Sequence, residues 1–81
     1  MTITVKLFAA MRDLAGSDTE TVELADGTTV ADLRRELGKL LPLARTLLSR
    51  STIAVNHDSA DNDKPLQATD EVAVIPPVSG G

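Results

Sequence analysis

Val30, Leu33, Leu37, Leu40 and Leu41 recur at three- and four-residue spacing between Thr29 and Pro42, and this apolar stripe limits what the chain can become. It predicts one amphipathic helix that must bury its leucines against something else. Thr29 is suited to the N-cap, and Asp32, three positions on, is suited to reach back to the cap N–H and to favour the positive helix end. Arg34, Arg35 and Lys39 are expected to face water, and Pro42 ends the run. Gly38 costs on the order of 1 kcal/mol relative to alanine inside a helix. It therefore predicts either close packing of a neighbour or an early helix end.

The partner of that stripe is legible on both sides of it. Ile3, Val5 and Leu7 alternate along a first strand, and Ala9 to Leu14 has helix-forming composition that stops at Ala15-Gly16. Thr19 to Leu24 carries Val22 and Leu24 in phase ahead of an Asp26-Gly27 turn, so the two N-terminal strands are expected to pair antiparallel. Leu43 to Leu48 adds a further helical turn or two before a third strand, Thr52 to Val55. The segment Asn56 to Lys64 is polar and holds at most a short edge strand, and Ala68-Thr69-Asp70 is a turn. Glu71 to Ile75 forms the last strand, which Pro76-Pro77 stops because neither proline can donate to a ladder. One helix across one face of a mixed sheet, with first and last strands as parallel central neighbours, is the compact solution. The expected fold class is α+β, a ubiquitin-like β-grasp, with a domain over residues 1–75 and an extended tail over 76–81.

An 81-residue chain leaves room for one domain. It contains no cysteine, which excludes a disulfide framework, a zinc-thiolate site and a thiol nucleophile. One Phe, with no Trp or Tyr, removes the stacking platforms used for single-stranded nucleic acid, and no nucleic-acid partner is expected. The net charge of −4 is uneven: residues 31–50 carry five cations against two anions, a pattern that by default is a solvated helix face. No basic leader or membrane-length apolar run is visible, so no membrane partner is expected and the predicted location is cytoplasmic.

Gly80-Gly81 follows the stiff segment Ile75-Pro76-Pro77-Val78-Ser79. Two glycines beside a carboxyl end leave the carbonyl carbon without flanking side chains, so such an end threads a channel too narrow for other residues. Phe8 and Ile75 lie out of phase with the buried positions of their strands. If those strands are neighbours, the two meet on the helix-free face, as a partner surface or as scattered exposed apolar groups. Arg12 and Lys64 are candidate polar contacts at its rim. His57, the only histidine, sits in a polar loop and is assigned no catalytic role. Asp58, Asp61 and Asp63 lack the glycine and the distal glutamate of a calcium loop, so no metal site is expected.

The segment Val5-Lys6-Leu7-Phe8-Ala9-Ala10-Met11-Arg12-Asp13-Leu14-Ala15-Gly16 resembles the first strand and turn of the small, sulfur-carrying subunits of molybdopterin synthase. Thr29-Val30-Ala31-Asp32-Leu33 is similar to the start of their helix, Ala54-Val55-Asn56 to their third strand, and Asp70 to Ala73 with Pro76-Pro77-Val78-Ser79-Gly80-Gly81 to their end. The segment 56–63 is more polar than that family's loop. The resemblance implies that Gly81 is adenylated with ATP by a ubiquitin-activating-type adenylyltransferase, converted by a sulfur donor enzyme to a thiocarboxylate, and inserted into the large synthase subunit. It implies sulfur donation to cyclic pyranopterin monophosphate by a tail for which Gly80 gives clearance; with the Phe8–Ile75 patch, which is read independently of the family, the expected partner contacts are Phe8, Arg12, Lys64, Ile75, Pro76, Pro77, Val78 and Ser79. It further implies a small subunit with no stably bound cofactor and no catalysis of its own, in a heterotetramer with two small subunits at opposite ends of a large-subunit dimer. A sulfur carrier for thiamine, thiolated tRNA or cysteine, a protein modifier ending on target lysines, and a binding module with an irrelevant tail remain as alternatives.

Overall fold

Period-two burial along Thr2–Leu7, with Ile3, Val5 and Leu7 inside, builds strand β1 of a computed structural model that describes residues 1–78. Helix α1, Ala9–Ala15, follows at once and closes on Gly16, whose φ of +73° is the left-handed conformation glycine adopts at low cost. Strand β2 spans Thr19–Glu23 and α2 spans Val30–Leu40. A 3₁₀ turn at Pro42–Ala44 leads into α3, Arg45–Arg50, then β3, Thr52–Val55, the two-residue β4, Asp58–Ser59, and β5, Val72–Ile75.

The five strands lie in the order β2-β1-β5-β3-β4. β1 pairs antiparallel with β2 and parallel with β5, in the register Val5 to Val72, Lys6 to Ala73 and Leu7 to Val74. β3 completes the sheet interior antiparallel to β5, from Thr52 opposite Ile75 to Val55 opposite Val72. The expected β-grasp order is therefore present, with the first and last strands side by side at the centre. A two-residue turn at Asn56-His57 joins β3 to β4, and both residues have positive φ, 54° and 73°. That is the handedness a tight hairpin turn demands, usually supplied by Asn-Gly.

Helix α2 covers one face of the sheet. Val30, Leu33 and Leu37 are fully buried among Ile3, Val5, Leu7, Ile53, Val72 and Val74, and Met11 of α1 and Leu48 of α3 close the core at its sides. Two expectations need correction. Leu40 is 50 % exposed, because α2 ends there and its last turn overhangs the sheet. Arg34 is half-buried instead of facing water: its Nη1 donates to the carbonyls of Leu48 and Ser51 at 2.7 and 2.8 Å. Its guanidinium thus satisfies carbonyls at the end of α3 and ties the two helices together. Neither reading of Gly38 holds: the helix continues past it to Leu40, and a Cβ there would lie 3.8 Å from the Arg45 side chain, an ordinary contact that leaves room for alanine.

The helix start is capped as the sequence predicts. Asp32 N–H donates to Thr29 Oγ1 at 3.3 Å, and Asp32 Oδ2 accepts from the Thr29 backbone N–H at 3.1 Å. The bonds that the Asp32 carboxylate accepts, first from the Thr29 backbone N–H and then from the Thr29 hydroxyl at 3.1 Å, hold it below its ordinary value of 3.8, aided by Arg35. A depressed folded-state pKa means stability that is present above 3.8 and lost as the pH falls through the lower folded value. An Asp32→Asn variant is therefore expected to be less stable than the parent at neutral pH, and to converge toward it in acid. Denaturant midpoints across a pH series check this; a gap that stays constant into strong acid would contradict it.

Candidate docking face and tail

The residues out of phase with the core converge on the helix-free side of the sheet. Phe8 and Ile75, each 45 % exposed, line one shallow groove of about 230 Å³ together with Lys6, Ala54 and Ala73. Parallel pairing explains the meeting: Leu7 is opposite Val74, so the next residue on each strand shares a position and a face. His57 and Glu71 close one rim. His57, a polar-loop residue by sequence, has a partner: its Nε2 stands 2.9 Å from Glu71 Oε2, while Lys6 Nζ lies 3.7 Å from Glu71 Oε1. All three groups are well exposed, so the cluster shapes the groove more than it stabilises the fold. Only the strand register reveals it, since His57 and Glu71 are remote in sequence.

Asn56 fixes the far edge. Its Oδ1 accepts from the Glu71 N–H at 2.9 Å, and its Nδ2 donates to Asp70 Oδ1 at 3.0 Å, which anchors the entry to β5. The chain leaves β5 at Ile75. Pro76 is partly covered, Pro77 is exposed and Val78 is 92 % exposed, so the segment stands clear of the sheet at the Phe8 end of the groove. Ser79, Gly80 and Gly81 lie outside the described residues.

Phe8 breaks a local rule in a telling way. It occupies the N-cap of α1 with extended backbone, φ −122° and ψ 156°, and makes no side-chain cap bond. Serine or aspartate there would satisfy a free N–H. Ala9, next to it, holds a φ of +49°, which alanine adopts at a cost. A half-exposed aromatic at a capping position serves something other than the stability of α1.

Arg12 and Lys64 do not join the groove. Arg12 is exposed on α1, and Lys64 lies beside the start of α2, where its carbonyl accepts from the Val30 N–H at 2.9 Å. That helix start adjoins the end of β2 paired with Thr2, so Lys64 is at the opposite end of the sheet from the tail. Among the described residues no group of His, Asp and Glu is arranged to hold a metal ion, and no helix is long and apolar enough to cross a membrane.

A model of the ThiS family matches residues 5–81. The Molybdopterin synthase sulfur carrier subunit of Dictyostelium discoideum is 38 % identical over 80 residues, covering 95 % of this chain and 93 % of that protein. The protein of the same name from Escherichia coli K12 is 38 % identical over 81 residues, covering 98 % and 99 %. The crystal structure of the H. volcanii small archaeal modifier protein 1 matches with a TM-score of 0.85 at 28 % identity, covering 95 % of this chain and 98 % of that one. With the family model spanning nearly the whole chain and the β-grasp sheet beneath it, this chain belongs to the ThiS family.

Proposed function

We propose that this chain is the sulfur carrier subunit of a molybdopterin synthase, with Gly81 as the reacting residue. The observation that carries the reading is full-length similarity to sulfur carrier subunits of that name, joined to a terminal Gly80-Gly81. A free α-carboxyl group has a pKa of about 3.5, so at neutral pH it is an anion that resists nucleophilic attack. A ubiquitin-activating-type adenylyltransferase joins it to AMP from ATP and releases pyrophosphate. A sulfur donor then delivers sulfur at the oxidation level of sulfide, which forms the C–S bond as the C–O bond to AMP breaks and AMP departs, leaving a thiocarboxylate. Inside the large subunit its sulfur attacks a side-chain carbon of cyclic pyranopterin monophosphate and displaces the oxygen that carbon carries, as the phosphate-ester oxygen at one carbon and as water at the other; water then cleaves the acyl C–S bond, leaving the sulfur on the pterin and restoring the carboxylate. Two charged carriers supply one dithiolene. Tethering raises the effective concentration of sulfur at the acceptor, and Pro76-Pro77 lowers the entropy lost when the tail is ordered. The nucleotide pocket and the catalytic groups belong to the partners.

The acceptor is tested by reconstitution. The charged chain, mixed with the large subunit and cyclic pyranopterin monophosphate, is expected to yield molybdopterin with two chains discharged per product. A charged chain that instead thiolates another acceptor, or none, sinks the molybdopterin assignment. Similarity to a small archaeal modifier protein supports a second reading, attachment to lysines, which isopeptide-linked peptides in digests of the native host would establish.

The groove at the base of the tail gives this proposal a docking face. Phe8→Ser is expected to weaken binding of the large subunit by tenfold or more, roughly the effect of removing a central aromatic anchor. Because serine caps α1, the melting temperature should hold or rise. Calorimetric titration beside a thermal melt separates the two, and unchanged affinity would remove Phe8 from the interface.

A further inference from the structure

On the opposite side of the molecule from the Phe8–Ile75 groove, α2 and α3 enclose a second and larger one, about 390 Å³. Its floor is apolar, made by Ala31, the bare backbone of Gly38 and the buried side chain of Leu48. Its walls are cationic, with Arg34, Arg35, Lys39 and Arg45 around it. Arg35 and Lys39 are neutralised by Asp32 and Glu36 at 3.2 and 3.1 Å. Arg34 is held only by neutral acceptors, two carbonyls and the Asn62 side-chain oxygen at 3.3 Å, and neither it nor Arg45 has a carboxylate partner among the described residues. The neutral Asn62 also lines the groove, as do Lys39 and Arg45.

We infer that this groove docks an acidic segment of a partner protein, with an aliphatic side chain seated on the floor and carboxylates beside Arg45. Charge complementarity carries the assignment. Residues 31–50 hold five cations against two anions, whereas the remainder of the chain holds three cations against ten anions. A positive, apolar-floored channel in an otherwise acidic protein steers acidic chains to one face and repels them from the others. Gly38 keeps the floor low, since any side chain beyond alanine would rise into the space beside Arg45. The site lies across the sheet from the proposed docking groove and does not depend on the tail chemistry. A partner held there leaves both the Phe8 face and the tail free for a second protein.

The test uses the full chain, isotope-labelled and followed by NMR, titrated with a synthetic peptide rich in glutamate and bearing two leucines. Amides of α2, α3 and Asn62 are expected to shift, with β1 and β5 unaffected. Arg45→Glu should weaken binding about tenfold, as reversal of one partly exposed pair implies, while Lys6→Glu, an equal charge change on the other face, should have little effect. Glutamate suits the first turn of α3, so the Arg45 variant should remain folded, which its own spectrum verifies. Absence of shifts, shifts that survive Arg45→Glu, or tighter saturation of the same amides by pyrophosphate than by the peptide would each overturn the proposal; the last would mark a small-anion site.

Discussion

A chain lacking Gly80 and Gly81 is expected to support no sulfur transfer in a reconstituted synthase, a complete loss, while its melting temperature stays within a few degrees of the parent. The two effects separate because β5 ends at Ile75 and, among the described residues, the core contains none beyond Val74. Removing the terminal glycines leaves a carboxylate on Ser79, whose side chain and shorter reach both work against insertion into a channel shaped for glycine. Product formation under single-turnover conditions, read beside a thermal melt, checks both halves. Sulfur transfer by the truncated chain would show that the tail is irrelevant and would favour a plain binding module. An unfolded truncation would instead show that the tail belongs to the core.

The largest loss of stability is expected at Leu33→Ala. Leu33 is fully buried in the middle of α2, where its side chain enters the cluster of Val5, Ile53, Val72 and Val74. Deleting a buried leucine to alanine costs about 2–5 kcal/mol, from lost transfer energy and the cavity left behind. A domain of this size has a total stability of roughly 4–12 kcal/mol, at about 0.05–0.15 kcal/mol per residue. The variant should therefore melt about 10–30 °C lower. At the upper end of the cost it is largely unfolded at working temperature. Leu40→Ala, half-exposed at the overhanging end of the same helix, serves as the comparison and should shift the melt far less. Equal losses at the two positions would mean that the helix packs differently from the observed arrangement.

Much of this architecture is written in short-range patterns. The leucine stripe and capping box fix α2, alternation fixes β1, and Pro76-Pro77 fixes the end of β5. Parallel pairing of β1 with β5 then follows from the order of the elements, and with it the meeting of Phe8 and Ile75. What local pattern does not carry is contact between remote segments. The approach of His57 to Glu71 depends on the left-handed Asn56-His57 turn, which the sequence advertises poorly because glycine is absent. Arg34 reads as a solvent-facing helix residue, yet it reaches carbonyls at the end of α3 that no periodicity locates. Lys64, an equally plausible rim residue by composition, ends up at the wrong end of the sheet because the loop after β4 returns to the start of α2. Ser79, Gly80 and Gly81 are known by sequence and chemistry alone.

The most direct measurement is the intact mass of the chain after incubation with a ubiquitin-activating-type adenylyltransferase, ATP and a sulfur donor, with fragmentation to locate any change. The account predicts that one oxygen is replaced by sulfur, and that the replacement lies in the carboxyl group of Gly81. A carboxylate that remains unmodified while the same enzymes charge a known carrier, or a sulfur found elsewhere in the chain, would contradict it.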